Sequence, residues 1–419
     1  MNQKEKNLSL QHKKHNMLSS KKHIANKISL STGVVLLIVL SILVSFTTVF
    51  TKINLEKSIK GEFQGVAAQN GIIIQSMFDE ATNVIKNLCS YTQRTYSTDW
   101  GNDQFGDNTA QNIGENVQEG TSVASPKPFT TAVDGQKTNV RGNEIENFLL
   151  NQMWASMQNY DFIEGIGIFF EPKQFDGKLN DYSIYISKND AENFTAQSYG
   201  AYSDFSEYQF YKNPKESLKS HLSEPYILDE ESGTVVITVS YPIISDNQIK
   251  GVAMADVNIS DFSKVKSSDE KYPSMYASIM TDVGNIIFDS SEQYLWTNIY
   301  DYLPNEKQIE KIKENASGTS NFDLQLLLKQ NISQEEIDAG VKPKENEYLC
   351  FFNPIRIGDK IWWAQSSLSE FDFDKLPIFL SSCTIAISTV ALIILLVFIA
   401  SFVKKSLKPI IEIQNVANQ

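Results

Sequence analysis

Two long stretches without a charged residue divide this chain and limit what it can fold into. The first covers residues 28–51 and the second covers residues 376–403. An α-helix rises about 1.5 Å per residue, so each stretch is long enough to cross the ~30 Å hydrocarbon core of a bilayer. We therefore predict two transmembrane helices. A cleaved signal peptide is the alternative for the first stretch, but that stretch is long for a signal peptide and no small-residue cleavage pattern follows it.

Lysine is concentrated just outside both predicted spans. Residues 1–27 contain seven Lys and one Glu, and residues 404–419 contain three Lys and one Glu. Cytoplasmic flanks carry an excess of Lys and Arg, so both termini are predicted to be cytoplasmic and the middle extracytoplasmic. Residues 1–27 lack apolar periodicity and are predicted to be a disordered cytoplasmic tail. The formal net charge is −13 despite these basic ends, so the middle is acidic, which argues against nucleic acid as a partner.

Apolar residues recur at steps of three and four after the first span. They are Leu55, Ile59, Phe63, Val66, Ile73, Met77, Ala81, Val84, Leu88 and Tyr91, with one polar position at Asn70. This spacing predicts a long amphipathic helix that continues out of the membrane.

Short β-branched and aromatic runs bounded by Gly, Pro, Asn and Asp predict antiparallel strands beyond this helix. In residues 52–262 they are 165–170, 183–187, 234–240 and 249–257, after a helix at about 144–158. In residues 263–375 they are 275–280, 286–288, 348–357 and 360–368. Residues 97–143 are predicted to be a poorly ordered polar insertion, and residues 304–344 a polar, helical insertion. The two sets of strands suggest two copies of one module, because Asn353-Pro354-Ile355 echoes Tyr241-Pro242-Ile243.

The sequence contains no GxSxG, HExxH, CxxC, P-loop or GxGxxG motif. This absence does not by itself exclude an enzyme, but we predict a protein without catalytic residues, metal or cofactor. Three cysteines are too few for a disulfide framework. Cys89 and Cys350 are the only possible pair outside the predicted spans, and we expect both to be buried thiols.

Residues 207–256 are predicted to form one wall of a small-molecule pocket, because aromatic residues lead there into two strands and their turn. Pockets are mostly apolar with a few placed polar groups. Asp256, at the end of its strand, could accept hydrogen bonds from an ammonium group. Plain core packing is the alternative for each aromatic residue. The candidate ligand-binding residues are Tyr208, Phe210, Tyr211, Tyr226, Asp229 and Asp256.

At these residues the chain resembles the double Cache (dCache) sensor domain of bacterial transmembrane receptors, above all methyl-accepting chemotaxis proteins. The resemblance covers roughly residues 55–371 and lies in Phe210-Tyr211-Lys212, Glu224-Pro225-Tyr226, Ser240-Tyr241-Pro242-Ile243, Gly251-Val252 and Asp256-Val257. It implies an α+β fold in which a long N-terminal helix supports a membrane-distal and a membrane-proximal PAS-like antiparallel-sheet module. It also implies a homodimer, although a plain core stripe explains the helix spacing equally well.

The same resemblance restricts the ligand. Amino-acid-sensing members of the family carry an Arg and a Trp before the Tyr that corresponds to Tyr211, where this chain has Tyr208 and Phe210; Tyr211, Tyr226 and Asp256 match. Without that Arg the bidentate grip on an α-carboxylate is lost, so an ordinary amino acid is not expected. Amines, nucleobases, sugars and small peptides remain open, as does sensing through another protein.

The resemblance implies a transmembrane chemoreceptor that binds an extracellular small molecule and signals to cytoplasmic proteins. Residues 404–419 resemble the opening helix of a HAMP signalling linker, and we expect the output domain that this resemblance implies to be absent from these 419 residues, whether truncated or never encoded. Two alternatives stay open. The chain could be the input portion of a sensor histidine kinase or diguanylate cyclase, or it could be an output-less membrane protein that binds a solute.

Overall fold

The computed structural model describes residues 3–97, 129–138, 140–259, 262 and 264–417, which contain a long helix, two large antiparallel sheets and the two-stranded sheet β1–β2. The predicted fold class, α+β with a long N-terminal helix and two sheets, is confirmed. The helices are α1 (Gln3–Ser97), α2 (Val140–Asn159), α3 (Lys188–Asn193), α4 (Tyr202–Phe205), α5 (Gln209–Ser217), α6 (Glu306–Ala316), α7 (Gln334–Asp338) and α8 (Glu370–Ala417). A 3₁₀ turn covers Ile299–Tyr302.

Most of the strands lie where β-branched and aromatic runs in the sequence predicted them. They are β1 (Phe129–Thr130), β2 (Lys137–Thr138), β3 (Ile163–Phe170), β4 (Ser183–Ser187), β5 (His221–Leu222), β6 (Tyr226–Asp229), β7 (Thr234–Ser245), β8 (Gln248–Asn258), β9 (Tyr276–Met280), β10 (Ile286–Asp289), β11 (Phe322–Lys329), β12 (Glu345–Ile357) and β13 (Lys360–Ser369).

Helices α1 and α8 each contain an 18-residue stretch apolar enough to cross a membrane. In these stretches the apolar side chains are exposed, for example Phe46 at 69% and Ile387 at 71%. Exposed apolar side chains on a helix of this length are what a lipid-facing span requires. Residues 1–62 and 369–419 form one compact unit, which holds both stretches, and residues 63–368 form a second.

The first sheet has the strand order β4-β3-β8-β7-β5, with β6 paired to β7 outside that path. Its centre is the β7–β8 hairpin, whose two-residue turn is Asp246-Asn247. Both turn residues have positive φ, 52° and 56°. Asp and Asn tolerate this conformation, which a tight hairpin turn matching the strand twist requires. The turn pairs Ser245 with Gln248, and a β-bulge between Ile243 and Ile244 then shifts the register by one residue, so that Thr238 pairs with Asp256.

The second sheet has the order β10-β9-β13-β12-β11. One of its faces joins the first sheet and α1 in a single hydrophobic core, represented by Phe78, Ile85, Ile166, Ala277 and Trp362. The ring centroids of Phe78 and Trp362 lie 5.4 Å apart in an edge-to-face arrangement. Four residues of the stripe predicted on α1, Met77, Ala81, Val84 and Leu88, lie in this core.

Asn70, the polar residue inside this apolar stripe, is fully buried. Its Nδ2 donates to the Lys266 carbonyl at 3.0 Å, and the Lys266 N–H donates to its Oδ1 at 2.9 Å. Asn70 therefore attaches the segment between the two sheets to α1. A buried amide with both groups paired is stable, whereas unpaired backbone groups are costly.

We expect Asn70→Leu to lower the free energy of unfolding by about 2 kcal/mol, since the Lys266 N–H and carbonyl would lose their partner. Thermal unfolding of the full chain in lipid nanodiscs measures this. Gln69→Leu is the control, because Gln69 is exposed on the same helix turn. Equal stability of the two variants would show that the Asn70 hydrogen bonds contribute nothing.

Two sequence predictions are wrong. The tail predicted to be disordered is helical from Gln3, because Lys, Gln and Leu favour helix and extending an existing helix needs no new nucleus. Within residues 304–344, predicted to be a helical insertion, α6 and α7 are helices but Phe322–Lys329 is strand β11 of the second sheet. Its apolar residues Phe322, Leu324, Leu326 and Leu328 alternate, and pairing with β12 overrides the helix preference of Leu.

The predicted insertion at 97–143 lies mostly outside the described residues, which resume at β1. Cys89 and Cys350 are buried free thiols. Buried cysteines of this kind behave as small apolar side chains.

Candidate functional site

The first sheet carries a cavity of about 650 Å³ on the face opposite the shared core. Strands β4, β7 and β8 form its floor, and α5 and β6 with the residues before them form its sides. A volume of this size matches a small organic molecule. The residues that contribute to its chemistry are Tyr185, Tyr199, Tyr208, Phe210, Glu224, Tyr226, Thr238, Met254 and Asp256.

Asp256 lies at the bottom of the cavity and is fully buried. Its Oδ1 accepts hydrogen bonds from Thr238 Oγ1 at 2.6 Å and Tyr226 Oη at 3.0 Å, and its Oδ2 accepts one from Tyr185 Oη at 3.1 Å. Burial raises the pKa of Asp256, while the three hydroxyl donors lower it. A carboxylate has about four lone-pair sites, and the hydroxyl donors occupy three of them.

Gly165 makes room for this arrangement. It pairs with Asp256 across β3 and β8. A Cβ at this position would lie 2.1 Å from Tyr185 Oη and 3.0 Å from Asp256 Oδ2. Any larger residue would displace the Tyr185 hydroxyl, so the absence of a side chain here is part of the site.

Aromatic rings form the wall beside Asp256. Phe169 packs beneath them, with its ring centroid 5.3 Å from that of Tyr199 and 5.0 Å from that of Phe210. The ring of Tyr208 stacks on Phe210 at 6.1 Å and remains 54% exposed at the mouth. These rings present flat π-faces, which attract organic cations.

The electrostatic character of the cavity is one-sided. Among the described residues that line it, none is Lys, Arg or His, and two are acidic, Asp256 and Glu224. Asp256 is buried, and a buried carboxylate without a cationic lining residue beside it favours a positively charged ligand and disfavours a carboxylate.

Four of the six residues proposed from the sequence lie together at this cavity: Tyr208, Phe210, Tyr226 and Asp256. The structure shows their position, and their contact with a ligand stays a prediction. Tyr226 lies on β6, where its ring covers the cavity and its hydroxyl reaches Asp256.

Tyr211 and Asp229 do not line the cavity. Tyr211 is fully buried, and its hydroxyl donates to Glu171 Oε1 at 2.8 Å, where Lys215 also binds at 2.6 Å. It follows Phe210 on helix α5, so the two side chains point about 100° apart and only Phe210 lines the cavity. Asp229 is exposed in the β6–β7 turn and accepts from the N–H groups of Glu231 and Ser232.

Tyr185, Tyr199 and Thr238 were not predicted from the sequence. Tyr185 and Tyr199 precede the stretch that was interpreted as the pocket wall. The β3–β4 pairing brings Tyr185 to it, and Tyr199 follows Gln197, whose backbone pairs with that of Tyr185. Thr238 lies opposite Asp256 only because of the β-bulge in the β7–β8 hairpin, which the sequence does not specify. Within the described residues, no group of three or more His, Cys, Asp or Glu side chains could hold a metal ion.

Residues 149–264, which include the cavity, match a family model described as the first PDC sensor domain of methyl-accepting chemotaxis protein-like proteins. Methyl-accepting chemotaxis protein PscA of Pseudomonas syringae pv. tomato is 25% identical over 163 residues, which is 38% of this chain. The matched segment spans 22% of that relative's length.

Two solved structures are also similar over most of this chain. The extracellular domain of the putative histidine kinase mmHK1S-Z3 is 15% identical with a TM-score of 0.47, over 76% of this chain and 95% of that one. The periplasmic sensory domain of the Campylobacter jejuni chemoreceptor Tlp1 is 11% identical with a TM-score of 0.47, over 77% and 98%.

Proposed function

We propose that this chain, which carries a chemoreceptor-type PDC sensor domain of the Cache kind at residues 149–264, is a two-pass membrane receptor for a small organic cation. The ligand would occupy the cavity of the first sheet. The observation that carries this proposal is the composition of the described lining residues. They combine one buried carboxylate, Asp256, with an aromatic wall and include no Lys, Arg or His.

The ligand class follows from what each group can recognise. An ammonium group with N–H donors beside Asp256 would donate to the carboxylate and replace the hydration that burial removed, and a quaternary ammonium, which has no N–H, would pair with its charge. Its alkyl or methyl groups would contact the faces of Tyr199, Tyr208 and Phe210. A ligand with its own carboxylate would find no described cation among the lining residues. The favoured ligands are therefore amines and quaternary ammonium compounds rather than amino acids.

The membrane arrangement is also a proposal. The apolar stretches of α1 and α8 would span the bilayer with residues 63–368 outside, and the lysine-rich flanks support cytoplasmic termini. Ligand binding would then shift a two-state equilibrium that is transmitted through α8 to a cytoplasmic output. Chemotaxis is the output that the sequence resemblance favours.

We expect choline or butylamine to stabilise the full chain in lipid nanodiscs against thermal unfolding. Free ligand at 100 times its dissociation constant adds about 2.7 kcal/mol of stability. The uncharged isosteres 3,3-dimethylbutanol and 1-butanol should have little effect, because they cannot form an ion pair with a carboxylate.

Asp229→Asn provides the matched control, since it removes an exposed carboxylate from outside the cavity and should leave the stabilisation unchanged. The proposal fails if the alcohols stabilise the chain as strongly as the cations, or if neither class does.

A further inference from the structure

An ion pair joins the rim of the cavity to the second sheet. Glu224 lines the cavity, and its Oε1 lies 3.4 Å from Nζ of Lys360. Lys360 is the first residue of β13. Both side chains are partly exposed, Glu224 at 66% and Lys360 at 31%, so the pair is in reach of solvent and of a ligand entering the cavity.

The same two segments approach each other at other residues. A Cβ built on Gly358, in the β12–β13 turn, would lie 3.9 Å from Ser220 Oγ. The pKa of His221 is lowered, first by burial and then by the charge of Lys360, while Asp359 and Glu224 act in the opposite direction. The β12–β13 turn thus faces the segment that leads from α5 into the cavity rim.

Strand β13 connects this contact to the second apolar helix. It lies in the middle of its sheet, between β9 and β12, and carries Trp362, which packs on Phe78 of α1. It ends at Ser369, and α8 begins at the next residue, Glu370. Strand β13 is therefore the only element between Lys360 and α8 along the chain.

We propose that the Glu224–Lys360 pair is a latch that couples occupation of the cavity to β13. This inference rests on the proposed function for its trigger, because a cation bound in the cavity that Glu224 lines would attract the Glu224 carboxylate in competition with Lys360. Partly exposed ion pairs are weak, so a ligand can replace this one. Its release would loosen the rim from the β12–β13 turn and change the restraint on the strand that precedes α8.

The latch can be tested without any ligand, by amide hydrogen exchange of the full chain in lipid nanodiscs. Lys360→Gln should raise exchange in residues 220–228, and Glu224→Gln should raise it in residues 360–369, each by up to about fivefold as expected for a weak pair. The charge-exchanged double variant, Glu224→Lys with Lys360→Glu, should return both segments towards wild-type exchange. Lys342→Gln is the control, because Lys342 is exposed elsewhere on the chain.

The latch is overturned if each single variant changes exchange only in its own segment, or if the charge-exchanged variant does not restore it. Adding choline or butylamine should raise exchange in residues 360–369 of the wild type and cause no further rise in Glu224→Gln. Binding of either amine without that rise also overturns the latch. If neither amine binds, the proposed function fails, and the ligand-free comparison still decides whether the latch exists.

Discussion

Asp256→Asn is expected to weaken the binding of choline or butylamine by about 100-fold. The substitution keeps the size of the side chain but removes the charge that would pair with the ammonium, and hydrogen bonds to charged groups contribute about 1.5–3 kcal/mol. Isothermal titration of the full chain in nanodiscs measures the loss. Tyr226→Phe should weaken binding less, because it removes one of three hydroxyl donors to Asp256 and leaves the carboxylate in place.

The dependence of binding on pH gives an independent check. An ammonium ligand needs ionised Asp256, and burial raises the pKa of this group. Affinity should therefore fall as the pH is lowered through the raised pKa of Asp256, starting above the value of about 3.9 that is usual for Asp.

Undiminished affinity in Asp256→Asn, with the variant folded, would place the cation elsewhere.

Phe78→Ala is expected to lower the free energy of unfolding by about 3–5 kcal/mol, the usual cost of removing a fully buried Phe. Phe78 is 1% exposed and packs edge-to-face on Trp362. The variant loses this contact and leaves a cavity where α1 meets the second sheet. For a unit of this size the midpoint of thermal unfolding should fall by ~10 °C.

Asp79→Ala is the matched control, because Asp79 is exposed on the neighbouring position of α1; its effect should stay within about 0.5 kcal/mol. A similarly small effect of Phe78→Ala would mean that α1 does not support the sheet as the structure indicates.

Several strands were predicted well from their β-branched and aromatic residues. Residues 183–187 are β4 as predicted, and the β7–β8 hairpin was located from its β-branched residues and its turn. The failure at β11 arose because tertiary pairing overrides local preference. The leucines of β11 favour a helix locally, but pairing with β12 makes this segment a strand.

The cavity could be predicted only in part, for a related reason. Tyr226 and Asp256 were recognisable because they lie on one stretch that ends at a strand. Tyr185 reaches Asp256 only through the β3–β4 and β3–β8 pairings, which a single sequence does not specify. Whether Tyr211 or Phe210 faces the cavity depends on the helical phase of α5, and that phase is set by packing on Phe169.

The single core that both sheets share with α1 has a practical consequence for building hybrid receptors. Exchanging the ligand-binding sheet alone would join Ile166 and its neighbours to a foreign partner surface across the core. Functional hybrids should instead carry residues 63–368 as one cassette, with the joints placed in the helices on either side of it.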